Sequence, residues 1–226
     1  SEWAQIERDI GLARETGCAY HVCHISTKEG VELIRKAKAE GVNITCETGP
    51  HYLVMNDMDL QEDGRFKMNP PLRSVEDRLA LIEGLVDGTI DVIATDHAPH
   101  LENEKIGGAL KAASGMPMIQ FSLVSMLEMS DNGVLPIERI PDLMSHNPAK
   151  LFHIEKRGFI RPGYYADLTL VDPNANWQVK EGRYYTKCGW TPMDERVFKW
   201  RVRRTLVNGK TAYLDGIVVD GIRGKE

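Results

Sequence analysis

Ile90-Asp91-Val92-Ile93-Ala94-Thr95-Asp96-His97-Ala98-Pro99-His100 is an apolar run that breaks off into carboxylate and imidazole side chains. Read alone, Ile90 to Ala94 is a short buried strand and the residues after it form a polar loop at the strand's C-terminal end. Upstream, Ser74-x-x-Asp77 opens a helix through Leu79, Ile82, Leu85 and Val86 that Gly88 ends. The same alternation recurs further back. Trp3, Ile6, Ile10 and Ala13 mark a helix stopped at Gly17, Ala19 to Ile25 reads as a strand, and Ser26-x-x-Glu29 has the form of a capping box. That helix runs through Val31, Ile34 and Ala37 to Gly41, and Val42 to Cys46 is the next strand. An α-β-α-β-α-β order with strands this apolar predicts a parallel sheet with right-handed crossovers.

Three strands do not close a barrel, since a TIM barrel takes eight strand-helix units and about 250 residues. The expected class is α/β, either a small open sheet or part of a larger barrel. Beyond the polar loop, helices are expected from about Met118 to Met129 and from Pro136 to Phe152, with Pro141 and Pro148 each suited to a first turn. From about Arg157 the pattern shifts to short strands at Ala166–Val171, Arg203–Val207, Thr211–Leu214 and Ile217–Val219. Asn208-Gly209 and Asp215-Gly216 are hairpin turns. A boundary near residue 156 is therefore expected, with a small β module after it.

The chain has 226 residues, 42% hydrophobic and 27% charged, and a formal net charge of −5. An acidic balance, with a sequence pI near 5.8, argues against nucleic acid as partner and toward a small-molecule ligand. No apolar run of about 18 residues suggests a membrane span, and no secretory leader is evident. Cys18, Cys23, Cys46 and Cys188 form no C-x-x-C pair, and Cys23 and Cys46 fall in apolar runs. Reduced, buried thiols and a cytoplasmic location are the expectation.

Chemistry-bearing residues gather just after the strands, where α/β proteins place their sites. In His21-Val22-Cys23-His24, strand alternation turns His21 and His24 to opposite faces, and His24, nearer the strand end, is the ligand candidate. A hydrogen-bonded core histidine is the plainer reading. Asp96 suits a metal ligand or a general base, or else a cap on the following turn, with His97 and His100 as substrate contacts or solvated loop residues. In Met68-Asn69-Pro70-Pro71, two prolines stiffen the loop that carries the Asn69 amide, an arrangement equally suited to a rigid turn. His51, in Glu47-Thr48-Gly49-Pro50-His51, is a pocket candidate or a packed loop histidine. Ser114-Gly115-Met116-Pro117 reads as a tight turn with backbone amides available to an anion.

Taken in order, HVCHIST (21–27), ETGPHYL (47–53), KMNPPLR (67–73), IATDHAPH (93–100), KAASGMP (111–117), SHNPAKLF (145–152) and RPGYYADLTLVDP (161–173) resemble the dihydroorotases of the amidohydrolase superfamily. The resemblance covers nearly the whole chain, and TDHAPH is its most specific element. It implies the C-terminal part of a TIM-like (β/α)8 metal-dependent hydrolase barrel, strands 6 to 8, in residues 1–156, followed by a β-sandwich portion in 157–226. It implies a binuclear Zn2+ centre, with His24 similar to the sixth-strand ligand and Asp96 to the eighth-strand aspartate that binds zinc and moves the proton. Asn69, His100, Ser114 and Gly115 match substrate-binding positions.

The implied reaction is reversible hydrolysis of the cyclic amide of dihydroorotate to N-carbamoyl-aspartate, in pyrimidine biosynthesis. No His-x-His occurs in the chain, so the family's first-strand ligand pair is absent, as are its bridging carboxylated lysine and its fifth-strand histidine. The chain is accordingly expected to be a fragment, inactive or poorly soluble alone. A hydantoinase- or allantoinase-like amidohydrolase is the alternative enzyme. A non-catalytic subunit scaffolding aspartate transcarbamoylase is the alternative of another class. A homo-oligomer without membrane contact is the expected assembly.

Overall fold

The computed structural model describes residues 1–60, 64–180 and 184–224. They divide into two compact units: Ser1–Ser122 with Lys180–Asp194, and Leu123–Val179 with Glu195–Glu226.

In the first unit, helix α1 (Glu2–Thr16) leads through a left-handed Gly17 to strand β1 (Tyr20–Val22). Helix α2 (Lys28–Ala39) and strand β2 (Ile44–Thr48) follow, then the short helix α3 (Pro50–Val54). Helix α4 (Val75–Val86) precedes strand β3 (Val92–Ile93), and helix α5 (Gly108–Lys111) lies in the loop beyond. The strands form a parallel sheet in the order β1-β2-β3, with His21 opposite Thr45, Val22 opposite Cys46 and Thr48 opposite Ile93.

The β2 side chains alternate between buried and half-exposed. Ile44, Cys46 and Thr48 are buried, and alternation puts Thr45 and Glu47 on the other face. Ile6, Ile10 and Ala13 of α1, Val31, Ile34 and Ala37 of α2, and Leu81 and Leu85 of α4 supply the rest of this core. The α2–α4 approach is close at Gly84, where a Cβ would meet Val31 Cγ1 at 3.1 Å and the Ile90 side chain at 3.2 Å.

Several local expectations shift. The first strand ends at Val22 instead of Ile25, because the backbone turns at His24, φ 39°. The α2 cap is Thr27, whose hydroxyl accepts from Gly30 N–H. Ser26 is engaged elsewhere: its N–H donates to a Glu2 carboxylate oxygen at 2.8 Å and its hydroxyl bonds the other oxygen. Ser74 does cap α4, accepting from Asp77 N–H at 3.2 Å. Cys46 is buried but Cys23 is exposed, since it lies past the end of β1; all four thiols are free.

The second unit carries helix α6 (Ser122–Asp131), begun in the first, then α7 (Arg139–Pro141), a π-helical stretch (Asp142–His146) and α8 (Asn147–Leu151). Pro148 sits in the first turn of α8, whereas Pro141 closes α7. Strands β4 (Leu168–Asp172), β7 (Arg201–Val207), β8 (Lys210–Leu214) and β9 (Ile217–Val218) form an antiparallel sheet in that order. Strands β5 (Trp177–Gln178) and β6 (Val197–Phe198) pair separately. Asn208 and Gly209 (φ 51° and 76°) and Asp215 and Gly216 (φ 47° and 99°) make the two hairpin turns, with the paired positive φ of type I′ geometry. No helix among the described residues is long and apolar enough to cross a membrane.

Candidate functional site

The C-terminal ends of β1, β2 and β3 hand the chain to His24, Gly49 and Asp96. His24 and Asp96 both have left-handed backbones, φ 39° and 41°. Such a conformation is uncommon outside glycine, and where it recurs at strand ends it points to side chains held for a purpose. His24 Nδ1 is buried with no hydrogen-bond partner among the described residues. An imidazole nitrogen left open in this way, on a chain that also presents a carboxylate at Asp96, is a donor set that fits a zinc-like divalent cation.

Beside them, α3 brings in His51, wholly buried and with neither ring nitrogen hydrogen-bonded among the described residues. Burial pushes its pKa down to about 3, with the charge of His24 adding to the effect, so the ring is neutral. The ring lies across Gly49, where a Cβ would come within 2.3 Å of His51 Cε1. A larger residue at Gly49 would force the His51 ring to move. Tyr52 donates its hydroxyl to Pro70 O at 2.7 Å, and its pKa is raised by burial and by Asp96. Cys23 is raised in the same direction by burial, then by the charges of Glu47 and Asp96. Asp96 therefore lies within electrostatic reach of Cys23 and of Tyr52 in α3.

A second group gathers around the loop after β3. His100 Nε2 is 3.1 Å from Ser114 O, and Nδ1 is 3.6 Å from a Glu104 carboxylate oxygen. Gly115, φ 142°, packs so closely that a Cβ would lie 2.5 Å from Ala98 O and 3.2 Å from His100 Cδ2. Gly115 N–H donates to Lys67 O at 2.9 Å, which joins this loop to the one bearing the exposed Asn69. His97 Nδ1 accepts from Ile119 N–H at 3.3 Å, and burial lowers its pKa. The structure thus brings His100, Ser114 and Gly115 together, with the Asn69 loop tied to them, and sets His51 within electrostatic reach of His24.

Three features escaped the sequence reading. Lys105 is buried, and its ammonium donates to Ala113 O at 2.6 Å, Gly115 O at 2.9 Å and Lys67 O at 3.1 Å, fixing the Ser114–Gly115 backbone. Trp190 Nε1 donates to His100 O at 2.7 Å across 90 residues of chain. His21 stands with Cys23 and Glu47 on one side of the sheet. Only the last had a local signal, the i, i+2 spacing of His21 and Cys23. The opposite-face argument for His21 and His24 assumed a strand through Ile25, and the turn at His24 removes that premise.

The sequence matches the Amidohydrolase family over residues 2–212. It is 45% identical over 219 residues to the dihydroorotase of Lactobacillus gasseri, covering 96% of this chain and 52% of that protein. To the dihydroorotase of Ligilactobacillus salivarius it is 46% identical over 216 residues, covering 94% and 50%. The chain spans about half the length of the curated relatives it matches. Among solved structures, L-hydantoinase (dihydropyrimidinase) from Arthrobacter aurescens superposes with a TM-score of 0.89 at 32% identity, over 95% of this chain and 49% of that one. Dihydropyrimidinase from Brevibacillus agri shares the fold, with a TM-score of 0.90 at 24% identity, over 96% and 49%. With the family matched over nearly its whole length, on strand ends that carry an open imidazole and a carboxylate, this chain belongs to the Amidohydrolase family.

Proposed function

We propose that this chain is the C-terminal part of a dihydroorotase. Residues 1–156 contribute the sixth to eighth strands of a TIM-like barrel, as β1 to β3, and residues 157–226 a β-sandwich portion. The observation that carries the reading is 45–46% identity, over 94–96% of the chain, to relatives named dihydroorotase. The half-length match supports a longer protein in which the remaining barrel strands and metal ligands come from residues outside this sequence.

His24 and Asp96 are the residues of this chain that hold zinc, in a centre that is binuclear when the other ligands are present. Zinc held there would supply polarisation of the scissile carbonyl and a lowered pKa for the attacking water. Asp96 accepts the proton of that water and returns it to the ring nitrogen as the amide C–N bond breaks, which yields N-carbamoyl-aspartate from dihydroorotate. Asn69 and His100 contact the substrate, and the Ser114 and Gly115 backbone, held by Lys105, faces the pyrimidine ring. The whole protein assembles as a homo-oligomer, and a transcarbamoylase is a candidate partner.

A hydantoinase-like reading is favoured by one observation, the close superposition on L-hydantoinase at 32% identity. Dihydroorotate hydrolysis followed by ultraviolet absorbance, with zinc measured on the same sample, separates the two. Turnover with bound zinc is the expected result; zinc with turnover only of hydantoins would replace the substrate, and neither would favour a scaffolding subunit. Asp96→Ala is expected to lower kcat by at least about 100-fold. Retained turnover would remove Asp96 from the proton's path.

A further inference from the structure

His100 projects from main chain that no helix or strand fixes, so whatever bonds its peptide groups decides where the imidazole points. The peptide joining His100 to Leu101 is bonded at both ends. Its carbonyl accepts from Trp190 Nε1 at 2.7 Å, and its N–H donates to Glu104 Oε2 at 2.7 Å. With that plane fixed, rotation of the side chain remains, and the contact of Nε2 with Ser114 O at 3.1 Å limits it. Glu104 is exposed, and water can take its place, whereas Trp190 is buried. A carbonyl facing a buried indole has no water to turn to when the N–H is removed.

Trp190 comes from far along the chain. Strands β5 and β6 pair antiparallel, for which a turn of about two to five residues suffices. The chain between them instead departs as Lys180–Asp194, which belongs to the first unit. Trp190, Thr191 and Met193 are buried there, and Tyr185 N–H donates to Gln120 Oε1 at 2.9 Å. At the base of this excursion Glu195 N–H donates to Val179 O at 3.1 Å and Val179 N–H to Arg196 O at 2.9 Å. The extra length carries a buried tryptophan to the loop after β3. Its ring also meets the neighbouring turn, because Lys105 Nζ and Arg65 Cζ each lie 5.8 Å from the ring centroid, within cation–π range. Lys105 is the ammonium that bonds Ala113 O and Gly115 O.

We propose that Trp190 is a positioning residue for substrate: through the His100 carbonyl it sets the imidazole against the cyclic amide, which makes the excursion between β5 and β6 part of the binding site. This rests on the reading of His100 as a substrate contact.

The test is a double-mutant cycle on the full-length gene product, with KM and kcat measured for dihydroorotate. Trp190→Phe keeps an aromatic ring and loses the N–H. It is expected to raise KM about tenfold while kcat changes less than about threefold. Added to His100→Ala it changes KM no further, because no imidazole is left to position. A residue that only packs would lower thermal stability and leave KM alone. Amide hydrogens across 98–105 exchange about tenfold faster in Trp190→Phe, with β1 to β3 unchanged. Should that variant fail to fold by circular dichroism, replacement of Trp190 with benzothienylalanine, which carries sulfur in place of the indole N–H at nearly the same size, supplies the same comparison. Wild-type turnover of hydantoin but not dihydroorotate would change the substrate proposed above, and the cycle is then read on hydantoin. Unchanged exchange across 98–105 in folded variant, or KM effects of the two substitutions that add, would overturn the role of Trp190 on either substrate.

Discussion

The two sheets of this chain bury their residues in opposite ways. In the parallel sheet, Ile44, Cys46, Thr48 and Ile93 are buried on the face toward the helices, Val92 is buried on the opposite face beside Glu47, and the candidate site residues follow the strand ends. In the antiparallel sheet of β4, β7, β8 and β9, every strand residue is half-buried or exposed. That sheet is held by its turns and by ion pairs such as Arg203 with Asp172 and Asp215, which contribute little each at the surface. The first sheet gains its stability from buried packing, and the second from strand pairing, hairpin turns and surface ion pairs.

The contrast breaks most visibly at Ile34 of α2, wholly buried against the parallel sheet's helical face. Ile34→Ala removes buried methyl groups and leaves a cavity, for an expected loss of about 2–5 kcal/mol. Urea denaturation followed by circular dichroism reads it as a lower midpoint. A loss under about 1 kcal/mol would mean that α2 is not packed as described.

Thiol chemistry sharpens the comparison within the parallel sheet, because Cys23 and Cys46 lie on its two sides. Burial pushes the Cys46 thiol up to about 12, and Cys188 is buried as well. A thiol reagent is expected to modify native Cys18 and Cys23 and to reach Cys46 only through opening, at least about a hundredfold more slowly, equivalent to roughly 2.7 kcal/mol. Cys23, its pKa raised by burial and by its acidic neighbours, reacts more slowly than a thiol of ordinary pKa. Rapid labelling of Cys46 in native protein would show that the hidden face is open.

How much was legible in the sequence follows the same division. Elements set by neighbours in sequence could be read directly: the Ser74 cap, the Gly17 stop, and both hairpin turns with their positive φ. Elements set by distant partners could not. Ser26 reads as a cap until Glu2, 24 residues away, takes its N–H and hydroxyl. Strands β5 and β6 are two residues each and exist through pairing Trp177 with Phe198. At the candidate site, His24, Asp96, Asn69, His100, Ser114 and Gly115 were visible as motif residues after strands. The buried ammonium of Lys105, wedged among three carbonyls contributed by two loops, has no signature in one dimension.

The smallest expected effect tests the antiparallel sheet. Gly209 sits at φ 76°, and its N–H donates to Ala166 O at 2.9 Å, while Asn208 N–H donates to Asp167 Oδ1 at 2.7 Å. A Cβ at Gly209 would meet only Ala166 Cβ at 3.9 Å, an ordinary contact. Sterics with neighbours therefore contribute almost nothing to Gly209→Ala, and the cost is that of a left-handed alanine, about 1 kcal/mol. Hydrogen exchange should show it as faster exchange across β7 and β8, with β1 to β3 unchanged. Were the β1–β3 amides to speed up equally, the two sheets would unfold together, and local turns could not be what holds the second one.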